Sequence, residues 1–326
     1  MVVFSKIGMA VLAILVGSGG VVALFYGANA LVERFAPGQF KGRILPWVYL
    51  APALLLLLAY LVIPTVLTVY VSLLDARSQS FVGLNNYSSL FADPGMGEAF
   101  RNNIFWLVGV TGISVSLGLL IAVLADRVRY EPLPKTLIFL PMAISFVGAS
   151  VIWKFIYAFR PAGTAQIGLL NGVITSLGFE PVGWLVERSL NNFALIAIMI
   201  WLQTGFCMVL LSAAVKGIPQ EIIEAARIDG ANEAQIFWRI VVPMIRSTIL
   251  VVSTTIVLLV LKVFDIVYVM TAGNQGTEVI ASRMFKEMFS FRHYGRGSAI
   301  AVLLLLAVIP IMVVNIREFR HPNPTR

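Results

Sequence analysis

Seven long apolar segments constrain this chain more than any other feature. They run at about 7–32, 47–74, 103–125, 137–158, 192–215, 247–270 and 297–315, with stretches rich in Pro, Gly, Asn and charge between them. Each meets the roughly 20 residues that a helix needs to cross the hydrocarbon of a bilayer. Composition agrees: 59% of the 326 residues are hydrophobic and 12% are charged, about half the charged fraction of a soluble domain. Hydrocarbon offers no partner to loose backbone groups, so the segments are expected to be helices; the strands of a barrel would be shorter and would alternate. The expected fold class is all-α, a polytopic integral membrane protein with about seven transmembrane helices.

Several other classes drop out. The net charge is +8, but no basic run with interleaved aromatics is present, so no nucleic-acid partner is expected. Cys207 is the one cysteine, which excludes an intrachain disulfide framework. His293 and His321 are far apart and suggest no metal site. Gly17-Ser18-Gly19-Gly20 has no Gly-Lys-Ser/Thr after it, so close helix contact is a better reading than a phosphate loop.

Lys and Arg set the expected orientation. One set of loops holds thirteen: Arg34, Lys41, Arg43, Arg127, Arg129, Lys135, Lys216, Arg227, Arg239, Arg246, Arg317, Arg320 and Arg326. The opposite set holds nine: Lys6, Arg77, Arg101, Arg160, Arg188, Arg283, Lys286, Arg292 and Arg296. The bias places the 216–246 loop and the C-terminus in the cytoplasm, although the 283–296 cations run against it. Ala28-Asn29-Ala30 looks like a signal-peptidase site. Cleavage there would leave Arg34–Arg43 outside, so the first span is expected to be retained.

The 216–246 loop is unusual for so apolar a chain: it carries Glu221, Glu224, Asp229 and Glu233. Pro219 suits a first helical turn, and the early acids suit its dipole. The spacing predicts a helix over 219–228 with Ile222, Ala225 and Ala226 on one small apolar face. Gly230 permits a left-handed reversal. A second helix is expected over about 232–241, until Pro243 interrupts it. A plain connector needs only a few residues, whereas this one is long and internally structured, which favours docking.

These residues carry a resemblance. Glu224-Ala225-Ala226, three residues, Gly230, nine residues, then Ile240-Val241-Val242-Pro243 resembles the EAA loop of ABC importer membrane subunits. The family pattern usually has Leu where Val242 stands. IP-x-E-x-x-EAA-x-IDGA, together with FLPMAIS at 139–145, VIWKFIY at 151–157, GLLNGV at 168–173 and VFDIVYVMTAGNQGTEVI at 263–280, is similar to the maltose-type sugar permease group. Gly273-Asn274-Gln275 replaces that group's usual Gly-Gly-Pro.

The resemblance implies a type I ABC importer permease fold. Residues 1–80 would hold spans 1 and 2 with their cytoplasmic connector, and 81–320 the importer transmembrane domain with the coupling loop 216–246. Residues 321–326 would be a cytoplasmic tail. The loop would dock on a cytoplasmic ATPase subunit: Glu224 would bind a basic group, Ala225 and Ala226 would fit the groove wall, and Asp229 and Gly230 would make the turn before Pro243. The resemblance also implies a bacterial inner-membrane location, a second homologous permease subunit, two ATPase subunits and an extracytoplasmic sugar-binding protein. This chain would bind no cofactor and catalyse no reaction; ATP and magnesium would sit on the ATPase subunits.

Ionisable groups inside spans usually face a cavity or a partner. Lys262 and Asp265 are i, i+3 and are expected either to pair on one helix face or to line a translocation path. Lys154, nearer a span end, is expected to snorkel. A sugar site needs hydroxyl-matching polar groups beside flat apolar faces. Gln203, Thr204 and Phe206 offer that mix, and the resemblance extends it to Lys262 and Phe264. Trp201 is expected to be a core residue. The substrate class expected is an oligosaccharide or glycoside, with glycerol phosphate or a polyol as the alternative. An ion-coupled secondary transporter and a membrane scaffold are the readings outside this class.

Overall fold

A computed structural model describes residues 2–35, 38–125 and 130–320, and among them every regular element is a helix. Arg127, Arg129 and the expected tail 321–326 lie outside the described residues. The chain separates into two compact units, Met1–Leu67 and Thr68–Arg326. The expected boundary at 80 falls inside the second of them. Residues 72–76 are tied there: Asn86 donates to the carbonyls of Ser72 and Leu74, and the Tyr294 N–H donates to that of Ala76.

The first unit contains α1 (Val2–Phe35), α2 (Gly38–Leu57) and a π turn over Leu58–Val62 that leads into α3 (Ile63–Ser72). Phe25 of α1 stacks on Tyr49 of α2 at 5.5 Å. The π turn ends two residues before Pro64 and contains Tyr60, the residue four back from the proline. A proline ring strikes the carbonyl four residues back in a regular helix, and a widened turn relieves that clash.

The second unit holds α4 (Asn85–Phe91), α5 (Pro94–Ala125), α6 (Pro132–Phe139), α7 (Phe146–Ile156), α8 (Leu169–Ser176) and α9 (Asn191–Lys216). There follow α10 (Gln220–Ile228), α11 (Glu233–Ile236), α12 (Val242–Met244), α13 (Arg246–Leu261), α14 (Asp265–Thr271), α15 (Ile280–Phe285) and α16 (Tyr294–Arg320). Its centre is α5 laid parallel to α9. Gly109 faces Ile196, and a Cβ on Gly118 would stand 2.5 Å from that of Cys207. Glycine at that crossing lets the backbones approach, as small residues do between membrane helices. Trp106 and Val110 of α5, Leu195, Ile198, Leu202 and Met208 of α9, and Ile256 of α13 are buried in one core.

Five helices are long and apolar enough to cross a membrane: Leu12–Arg34, Lys41–Ser72, Pro94–Ala125, Asn191–Lys216 and Tyr294–Arg317. Two bent pairs, Pro132–Ala143 with Phe146–Ile156 (103°) and Glu233–Met244 with Arg246–Leu261 (71°), raise the count to seven among the described residues. All seven apolar segments read from the sequence are helical. Two are interrupted. In the fourth, a 3₁₀ turn over Leu140–Ala143 gives way to extended Ile144, and Ser145 caps α7 by accepting the Gly148 N–H. In the sixth, the helix breaks at Lys262–Phe264.

Candidate coupling loop and intramembrane cavity

The 216–246 loop is a rigid two-helix knob. α10 ends at Asp229, and Gly230 takes φ +84°. The Ala231 N–H then bonds the Ala226 carbonyl and the Gly230 N–H bonds that of Arg227, which satisfies carbonyls a helix end would leave open. Asn232 and Gln235 form a complete capping box for α11. Arg227 and Glu233 pair at 3.0 Å across the reversal.

The faces of α10 differ from the expected ones. Ile223 and Ala226 pack on the chain's own core, together with Ala231, Phe237 and Val242. The outward surface carries Ile222, Glu224, Ala225, Ile228 and Asp229, with Ile228 86% exposed. Adjacent residues on a helix point about 100° apart: Ala225 is exposed, while Ala226 is partly buried against the core. The second helix also departs from expectation. It is a single α turn over Glu233–Ile236 and then a π turn over Phe237–Val241, after which Pro243 sits inside α12 without ending it. The widened turn accommodates the proline as at Pro64, and the chain bends at Ile245 instead.

At the base of the knob, Glu131 bonds both Lys135 and Lys216, the latter at 2.6 Å, and Lys135 also bonds Ser212. These bonds join the start of α6 to the end of α9. Hydrogen bonds from Lys135 and Lys216 hold the Glu131 carboxyl down to about 2. Nothing in the helical spacing revealed this link, because its partners come from separate segments.

A cavity of about 690 Å³ lies between the break before α7, α7 itself, α9, α13 and the start of α14. Its wall includes Gln203, Phe206 and Asp265, three residues the sequence pointed to. It also includes Ile144, Ser145, Phe146 and Thr255, which the sequence reading did not single out. Pro141 and Ser145 were the available signal, as a helix breaker and a cap that open the fourth span beside the cavity. Thr204 is buried and donates to the Ile200 carbonyl at 2.7 Å, outside the cavity wall. Trp201 sits edge-on to Trp153 at the core, and Lys154 is exposed in the last turn of α7.

Lys262 and Phe264 line a second cavity of about 570 Å³, walled by α15 and α16. The i, i+3 pairing of Lys262 with Asp265 is not formed. The helix stops at Leu261 and restarts at Asp265, so helical spacing does not apply and each residue lines a different cavity.

The opposite end of the α5/α9 pair is cross-linked by charge. Asp93 accepts from Arg283 at 2.7 Å and from Arg296 at 2.8 Å. Glu287, 1% exposed, bonds Arg283 and His293, while Lys286 pairs with Glu278. Burial pushes the Asp93 carboxyl up, but the Gly95 N–H and the two guanidinium groups outweigh it and hold it low. Asn102 donates to the carbonyls of Gly276 and Glu278, Asn103 accepts from the Ile280 N–H, and Asn192 donates to Gly276. The loop that replaces Gly-Gly-Pro turns through four positive-φ residues, Ala272, Gly273, Gln275 and Gly276. Among the described residues no group of three His, Cys, Asp or Glu side chains comes together to hold a metal ion.

The site therefore combines a parallel helix core, a cavity beside a broken span and an exposed helical knob. The family model of binding-protein-dependent transport system inner membrane components matches residues 114–319, and the chain belongs to that family. It is 73% identical over 278 residues to the osmoprotective compounds uptake permease protein GgtC of Synechocystis sp., covering 85% of this chain and 100% of that one. It is 50% identical over 322 residues to the alpha-glucoside transport system permease protein AglF of Rhizobium meliloti, covering 95% and 96%. The fold is that of type I ABC importer permeases: a bacterial ABC transporter involved in the import of the acidic polysaccharide alginate superposes with TM-score 0.74 at 21% identity, covering 88% of this chain and 98% of that one.

Proposed function

We propose that this chain forms half of the translocation pathway of an ATP-driven importer for a small uncharged glycoside, and that the knob at 216–246 couples it to an ATPase subunit. One observation carries the coupling role: a locally hydrogen-bonded helical reversal presents Glu224, Ala225 and an 86% exposed Ile228 that no described residue covers. So large an apolar exposure beside a carboxylate suits a partner groove with a basic group.

The relatives' names support the substrate class. One relative is named for alpha-glucosides and another for osmoprotective compounds, and a small glycoside satisfies both names. In this reading a second permease completes the pore, two ATPase subunits bind ATP and magnesium, and an extracytoplasmic binding protein delivers the sugar. Closure of the ATPases would draw the knobs together and turn the cavity outward by rigid-body motion. The knob is cytoplasmic. The Lys/Arg bias between the two sets of loops, thirteen against nine, supports this.

The test is uptake and ATP hydrolysis by the reconstituted complex. Glu224→Ala and Gly230→Pro should sever binding-protein-stimulated hydrolysis from uptake, since proline cannot adopt φ +84°. Wild-type uptake in both variants would defeat the coupling role. A cysteine at Asn232 should label only from the cytoplasmic side.

A further inference from the structure

A run of aromatic rings extends from the Lys262 cavity toward the Asp93 end of the bundle. Phe264 stacks on Tyr268 at 4.9 Å, Phe285 lies 5.1 Å from each, and Phe289 continues from Phe285 at 4.8 Å. Phe264 and Phe285 line the 570 Å³ cavity with Lys262. Tyr268 is 43% and Phe289 66% exposed. The run also has depth. The chain that carries it is anchored at two levels: the Leu261 carbonyl accepts from Asn103, and Arg283 sits on Asp93. From Asp93, just before α5, to Asn103 the helix rises about 15 Å.

We propose that Phe289, Phe285, Tyr268 and Phe264 form a stacking track for glycosyl rings that leads to the Lys262 cavity. The proposal rests on the sugar reading above and names the surface the sugar follows. A pyranose presents C–H groups on one face and hydroxyls at its rim. Ring faces hold the first without fixing the second, which allows sliding rather than tight capture. Lys262, a donor with no acceptor lone pair, would meet hydroxyl oxygens at the track's end. A lipid-facing role explains the run poorly. Rings that served lipid alone would gather in an interfacial belt at one depth, whereas the anchors beside this run are about 15 Å apart along α5.

The test uses the whole complex in proteoliposomes, with its binding protein and radiolabelled sucrose, trehalose and maltose. Phe289→Leu and Tyr268→Leu keep apolar bulk and remove the ring. Each is expected to slow uptake about three- to tenfold, the scale of one aromatic contact. Phe289→Tyr and Tyr268→Phe should restore it, with subunit stoichiometry unchanged throughout. Undiminished uptake in the leucine variants overturns the track, as does loss of the second permease from the purified complex, which would make the rings a subunit interface. A wild-type complex that moves none of the three sugars fails the sugar reading itself and takes the track with it.

Discussion

The two ends of the α5/α9 pair are built on opposite terms. At the Asp93 end, charges are drawn inside: Asp93 and Glu287 hold Arg283, Arg296 and His293, and asparagines from α5 and α9 clamp the 275–280 backbone. At the other end, the knob rests one face on the core and is tied at its base through Glu131 and Lys216, but its reversal is ordered locally, by a left-handed glycine and a capping box, and its outer face stays exposed. Long-range bonds fix one end as part of the fold. Local bonds shape the other without committing its surface, which suits an element meant to grip something else.

That contrast can be broken at three points. Asp93→Ala should have the largest effect, because it leaves Arg283 and Arg296 to share the buried Glu287 beside a partly buried gap. Removing one partner of such a pair costs about 3–5 kcal/mol, so the melting temperature of the purified complex should fall sharply; a shift of a degree or less would show that the network does not hold this end. Asn232→Ala should cost about 1 kcal/mol locally, loosening the knob and lowering coupled uptake while the global melting point stays put. The smallest effect concerns Glu131. Its folded pKa is depressed, so the link's contribution is fully present above about 4.5 and is lost as pH falls through about 2. Glu131→Gln should therefore flatten the acid limb of a stability-versus-pH curve below pH 4.5, and an unchanged limb would exclude the link to Lys135 and Lys216.

Legibility in the sequence followed the range of the interaction. The reversal at Gly230 and the helix before it were readable because a few adjacent residues decide them. Pro243 was readable as a perturbation, but not its outcome, since relief came from a π turn upstream. The inward role of Ala226 needed the position of the core. The intramembrane residues divided in the same way: Gln203 and Phe206 share a cavity wall because α9 is unbroken, whereas Lys262 and Asp265 part because α13 is not.

The sequence by itself determined seven apolar segments and a polar helical loop between the fifth and sixth, because hydrocarbon thickness and backbone hydrogen bonding impose lengths that can be counted along a chain. Tertiary structure alone decided which cations are spent on internal partners, which face of α10 is free, and where the sixth span breaks. Those outcomes depend on groups far apart in sequence meeting in space, and no periodicity records such meetings.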